Sequence, residues 1–176
     1  MMHLYLVKPD LIYFEQYREM YKEWEDEEHI NPWFFKTKCE TLEDFADFIQ
    51  RIDDFEHGNA DKQYASQTAY FVIDENDRLI GGASLRHYLT VDGYKRGGHI
   101  GYGVRPSERR KGYATEILKL TLKESKRLRL YKVLLTALES NTGSNKVIRN
   151  CGGILENQIT DADGDLINRY WIHIKD

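Results

Sequence analysis

The chain has 176 residues, 41% of them apolar and 31% charged, with a formal net charge of −4 at pH 7. That length suits one domain, spanning residues 1–176, with a sizeable core, and the mixed, slightly acidic charge argues against a dedicated nucleic-acid binder, which would be strongly basic. The cysteines Cys39 and Cys151 stand apart without C-x-x-C spacing, which argues against a disulfide framework or a zinc site and fits a reducing cytoplasm. The opening MMHLYLVKPD lacks the apolar run of a signal peptide, and no apolar stretch approaches the roughly eighteen residues of a membrane span. The expectation is a soluble cytoplasmic domain, with no membrane and no nucleic acid among its partners.

In chain order, His3 to Val7 reads as a first strand stopped by Pro9, and Asp10 is placed to cap a helix carrying Tyr13, Tyr17, Met20, Tyr21 and Trp24 at helical spacing. That stripe reads as core, because aromatic residues are usually buried. The helix runs out in the acidic segment 23–28, either a solvated end or a rim that attracts a cationic amine. After the aromatic loop Trp33-Phe34-Phe35, Thr41 and Asp44 form a capping-box pattern ahead of Phe45, Phe48, Ile49 and Ile52. Gly58 to Gln67 is a polar loop. Ala69 to Ile73 and Leu79 to Leu89 read as paired strands, followed by a turn near Asp92-Gly93 and a central strand from His99 to Val104.

From Gly97 to Leu128 a strand, a basic glycine turn and an amphipathic helix follow one another. Pro106 closes the strand, and Ala114, Ile117, Leu118, Thr121, Leu122, Ser125 and Leu128 repeat at three and four. A helix that begins at a glycine just after a strand aims unpaired N–H groups and its positive dipole end at an anion. Gly112 lets a phosphate approach the backbone, with Arg109, Arg110 and Lys111 beside it. The spacing matches neither the Walker A pattern nor the Rossmann fingerprint. Lys132 to Ala137 then reads as a strand covered on both faces, Ser144 to Cys151 as a short helix stopped at Gly152-Gly153, and Ile154 to Ile159 and Leu166 to Ile174 as a final hairpin. The Asp161–Gly164 turn lacks the spacing of a calcium loop.

The run Arg109-Arg110-Lys111-Gly112-Tyr113-Ala114 resembles the pyrophosphate loop of the GNAT superfamily of acetyl-CoA-dependent N-acetyltransferases, Arg/Gln-x-x-Gly-x-Gly/Ala. A second likeness lies in register: Asn141 after a strand, a short helix, and Gly152 eleven residues on. The resemblance covers essentially the whole chain and implies a mixed α/β (α+β) fold: a mostly antiparallel central sheet with splayed central strands, flanked by about four helices. It implies acetyl-CoA as co-substrate and no metal. Acetyl would pass to a primary amine of a small molecule or a protein N-terminus by direct attack in a ternary complex. Backbone groups of Tyr102 and Val104 would pair with the pantetheine arm, the Val104 N–H serving the oxyanion. Residues Arg109, Arg110, Lys111, Gly112, Tyr113 and Ala114 would hold the pyrophosphate, and Asn141 and Ser144 would touch the arm.

The chain departs from the family in two places. Ile148 stands where many members have a tyrosine that protonates the thiolate, and Gly98-His99 stands where many have a glutamate base. His99 is then a general-base candidate, or a strand-end residue bonded in the core; His87 and Tyr102 are weaker candidates, and Glu28 and His29 come from a region that often lines the acceptor site. These departures keep a second reading open, a non-catalytic acyl-CoA-binding module. A nucleic-acid surface along Arg105 to Lys111 and Lys123 to Arg129 is basic only locally. The final strand, Tyr170 to Ile174, is a candidate for pairing across a homodimer.

Overall fold

The computed structural model describes residues 3–25, 27, 31–61 and 63–174; Glu28 and His29 lie outside them. The elements are β1 (Leu4–Val7), α1 (Phe14–Trp24), α2 (Leu42–Glu56), β2 (Gln67–Asp74), β3 (Leu79–Arg86), α3 (Val91–Lys95), β4 (Ile100–Val104), α4 (Tyr113–Arg127), β5 (Lys132–Leu138), α5 (Thr142–Asn150), β6 (Ile154–Thr160) and β7 (Leu166–His173). Their hydrogen-bonded ladders form two antiparallel sheets, β1-β2-β3-β4 and β5-β7-β6. The expected central sheet is thus divided between β4 and β5, and that division makes the site.

Alternation along β2 sets the layers. Phe71 and Ile73 join an aromatic core with Tyr17, Trp24, Phe34, Phe35, Phe45 and Phe48 under α1 and α2, whereas Val72 points the other way, to Ile80, Val104 and Ile117 of α4. A third cluster, with Leu85, Ile100, Leu118, Leu135, Ile148 and Tyr170, joins the two sheets under α4 and α5. Val133, Leu134 and Leu135 are all buried, as expected of a strand covered on both faces. The capping box forms as read: the Asp44 N–H donates to Thr41 Oγ1 at 3.1 Å and the Thr41 N–H to Asp44 Oδ2 at 2.9 Å. Cys39 and Cys151 are free thiols.

Three local expectations shift. Asp10 caps a 3-10 turn, Leu11–Tyr13, before α1 begins. The turn expected near Asp92-Gly93 is the short helix α3, because Thr90 Oγ1 accepts the Gly93 N–H at 3.1 Å and caps it, so β3 stops at Arg86. The last strand, expected to pair across a dimer, bonds β5 along its length as β7 and β6 only as far as Trp171, so Tyr170 and Trp171 have no open edge while Ile172 and His173 lie beyond the β6 ladder.

Candidate functional site

The site begins where the two sheets part. The His99 N–H donates to the Leu134 carbonyl at 2.7 Å, and the Leu134 N–H donates to His99 Nδ1 at 2.9 Å. Gly98 is confined here, since a Cβ on it would lie 2.3 Å from the Leu134 oxygen. Beyond this apex β4 and β5 diverge. Gly81 faces Val104 in the ladder, and the Arg105 N–H donates to the Ile80 carbonyl at 2.9 Å. Alternation therefore turns the backbone groups of Tyr102 and Val104 away from β3 and into the split. On the other side, Thr136 and Leu138 of β5 face it. The cleft has a volume of about 830 Å³.

At its wide end the cleft meets the start of α4. Arg110 and Gly112 both take left-handed backbone, φ 62° and 86°, so the turn curls its N–H groups inward as a nest just before the unpaired donors of the first helical turn. The cations around it are mostly committed. The Arg109 guanidinium pairs with both oxygens of Glu27 at 2.6 and 2.7 Å, and its Nε donates to the Val104 carbonyl at 3.1 Å. The Lys111 ammonium turns to Glu108 at 2.7 Å, and Lys111 is not among the cleft-lining residues. Buried Glu108 also pairs with Arg78 at 2.8 Å. Arg110, Gly112, Tyr113 and Ala114 line the cleft directly.

The β5 side is fixed by a residue that the spacing did not single out. Asn145, buried on α5, donates through Nδ2 to the Leu138 and Asn141 carbonyls at 2.8 and 2.7 Å. Its Oδ1 accepts from Asn168 and from the Tyr170 hydroxyl at 2.8 and 2.7 Å. It thereby ties β5, α5 and β7 into one corner; a polar residue on the apolar face of a short helix was the available signal. Asn141 caps α5 by accepting the Ser144 N–H at 3.0 Å. Ser144 Oγ lies 3.1 Å from the Tyr102 hydroxyl, which burial pushes up to about 12 although the Ser144 bond pulls the other way. Ile148, where a tyrosine was looked for, is buried in the inter-sheet core and pressed by Gly153.

The opposite wall comes from the segment after α1. Trp24, Glu27, Asn31, Trp33 and Lys36 all line the cleft. The Asn31 carbonyl oxygen would lie 1.8 Å from a Cβ on Gly103. Gly103 is therefore a glycine because the protein's own loop lies on it. Two carboxylates, Glu23 at the end of α1 and Glu27 beyond it, fasten this segment. Glu23 accepts from the Arg105 side chain and from the Ser107 N–H at 2.9 Å, and Glu27 holds Arg109. Burial alone would raise the Glu23 pKa, but the bonds from Arg105 and Ser107 hold it below the usual carboxylate value.

Neither histidine candidate faces this space. His99 is 7% exposed, absent from the lining residues, and its Nδ1 is occupied; burial first and then the Arg86 charge push its pKa down to about 4. The ring is the pin of the apex, and its placement does not favour the base role. His87 Nε2 lies 2.9 Å from Thr68 Oγ1, also off the cleft.

A family model described as an acetyltransferase (GNAT) domain matches residues 3–154. No curated protein matches the sequence. Among solved structures, the microcin C7 self-immunity acetyltransferase MccE, in complex with acetyl-CoA and AMP, is 18% identical over 97% of this chain and 92% of its own, with a TM-score of 0.70. The ribosomal L7/L12 α-N-protein acetyltransferase RimL, in complex with coenzyme A, is 17% identical over 97% and 94%, with a TM-score of 0.73. A dodecameric spermidine N-acetyltransferase from Vibrio cholerae is 16% identical over 98% and 93%, with a TM-score of 0.64. At these identities the structural likeness establishes the fold, and the family model, which spans most of the sequence, establishes the kinship. The chain belongs to the GNAT family of acetyl-CoA-dependent acetyltransferases.

Proposed function

We propose that this protein transfers acetyl from acetyl-CoA to a primary amine, in a ternary complex assembled in the β4–β5 cleft. The observation that carries the reading is the split itself: a strand edge with the backbone groups of Tyr102 and Val104 turned into an open cleft that ends on the N–H nest of residues 110–114. An extended amide chain terminating in a pyrophosphate matches those two features in that order. The nest and Arg110 hold the pyrophosphate, and Arg109 adds charge from the rim. The β4 edge, with Asn141 and Ser144 opposite, aligns the pantetheine arm.

As the amine nitrogen attacks the thioester carbonyl, the Val104 N–H stabilises the oxyanion that develops. When the C–S bond breaks, the Tyr102–Ser144 hydroxyl pair returns a proton to the leaving thiolate, supplying from β4 and α5 what Ile148 lacks. Among the described residues, the carboxylates that line the cleft are engaged, Glu27 by Arg109 and Glu108 by Arg78 and Lys111. The proton released by the amine passes to cleft water, and water returns one to the Tyr102–Ser144 pair. Amide and free CoA leave, with atoms and charge in balance.

The test is calorimetric titration with acetyl-CoA, with ATP and NAD alongside, followed by an amine screen. Micromolar binding of acetyl-CoA alone, with thiol release on adding an amine, is the expected result. Binding without turnover on any amine would leave the acyl-CoA-binding module instead, and no binding would remove the site assignment.

A further inference from the structure

Two indoles line the same wall of the cleft and are treated differently. Trp33 Nε1 donates to Gln67 Oε1 at 3.0 Å. Trp24, 1% exposed and packed at a tilt against Phe35 with 4.7 Å between ring centroids, has a buried Nε1 with no hydrogen-bond partner. Buried N–H groups are paired in the great majority of native structures, so an unpaired one beside a cleft calls for an explanation. The second such atom among the described residues, Arg169 Nε, differs in kind: its guanidinium already reaches Asn157 and Glu156. Trp24 has only one donor to place.

Charge around the cleft, away from the nest, points in one direction. Glu27 is neutralised by Arg109, and Arg96 is held by Asp161 and Asp163. Among the described residues, Lys36 lines the cleft, is exposed and makes no ion pair. An unused N–H and an unused ammonium both seek oxygen. A polyamine offers neither: its nitrogens are cationic donors, which cannot accept from an indole N–H and are repelled by Lys36.

Resting on the acetyltransferase reading above, we propose that Trp24 and Lys36 form an acceptor subsite for an oxygen carried beside the reacting amine. The acceptor substrate is then an α-amino carbonyl compound, either an amino acid or the N-terminus of a peptide. Trp24 Nε1–H bonds the carbonyl or carboxylate oxygen, and Lys36 adds a charge that favours a carboxylate. Trp24 acts here as a binding residue that sets specificity and takes no part in the proton transfers.

The test has two arms on the full chain. In the first, the protein labelled with 15N at its indoles and saturated with CoA is titrated with glycinamide, seryl-alanine amide, free serine, propylamine and spermidine. Its three tryptophans give three indole signals, and that of Trp24 is identified by its loss in Trp24→Phe, or by elimination with Trp33→Phe and Trp171→Phe if that variant does not fold. The Trp24 signal moves with the amino amides or serine and stays with propylamine and spermidine. In the second arm, kcat/KM for glycinamide exceeds that for propylamine by about tenfold, and Trp24→Phe lowers kcat/KM for glycinamide more than for propylamine, removing most of that advantage, as expected when a single hydrogen bond to substrate is lost. Lys36→Met lowers kcat/KM for free serine more than for its amide if the source is an amino acid, and affects neither if it is a peptide end. A static Trp24 signal with every amino carbonyl probe, a preference for spermidine, or an equal loss on all amines in Trp24→Phe overturns the proposal. Failure to bind acetyl-CoA overturns the underlying reading, and binding with a preference for plain amines overturns only this one.

Discussion

The two walls of the cleft are built from different materials. The donor wall is backbone: a strand edge, a glycine nest and a helix start, with side chains such as Asn141 and Asn145 serving mainly to hold backbone in place. The wall carrying Trp24, Asn31, Trp33 and Lys36 presents side chains from a connecting segment, fastened by Glu23 and Glu27 to the turn before α4. Backbone groups are the same in every sequence, so the donor wall suits a constant ligand. Side chains carry the choice among ligands, so the other wall is where one member of a family departs from the next.

The sharpest way to break the first wall alone is Gly112→Asp. A side chain at φ 86° is strained and a carboxylate would sit in the anion nest. Affinity for acetyl-CoA should fall by about a thousandfold or more, equivalent to roughly 4 kcal/mol, with far-ultraviolet circular dichroism unchanged; retained affinity would refute the nest assignment.

Acid acts where the walls meet. His99 is held neutral, its pKa lowered from 6.5 to about 4, so the unfolded chain binds the proton more readily than the folded one. Its contribution is complete above pH 6.5 and is lost as pH falls toward 4, on the order of 3 kcal/mol in all. Urea midpoints across that range should fall in the native protein and flatten in His99→Gln; parallel curves would show that the pin is immaterial.

Tyr102→Phe and Ser144→Ala probe the donor wall's chemistry. Each should lower kcat by about ten- to a hundredfold with little change in acetyl-CoA affinity, and the double variant should be no worse than the poorer single, because paired groups act as a unit. Additive losses in stopped-flow thiol release would separate the two hydroxyls.

The smallest effects test the fastening of the second wall. Glu23→Gln leaves Arg105, which is 5% exposed, without its counter-charge and should lower stability by about 2–3 kcal/mol. Glu27→Gln breaks a more exposed pair and should change stability by under about 1 kcal/mol. Equal losses in thermal denaturation would mean that both carboxylates bear on the fold alike.

This contrast also explains what could be read in advance. The strand ending at Pro106, the glycine at 112 and the Asn141–Gly152 spacing were legible because each answers a local backbone requirement at fixed offsets. The capping box at Thr41 and Asp44 was legible for the same reason. Arg109 was read as part of the pyrophosphate loop; its tie to Glu27 spans 82 residues of sequence, and no local pattern encodes such a pairing. His99 gave no sign of its partner either, since Leu134 offers only backbone. The contact that requires glycine at 103, the Asn31 carbonyl, is likewise distant in sequence.

The apex also has a mechanical consequence. The two sheets are joined there by two short bonds between His99 and Leu134, and the cleft opens along the five residues of β4 beyond them. With the bond from the Gly97 N–H to Thr136 Oγ1 at 2.8 Å, the join is three bonds wide, and at about 3.3 Å per residue β4 runs roughly 16 Å beyond it. In the function proposed above, a change in the packing around Gly98 would alter the width of the cleft at a point that neither substrate touches.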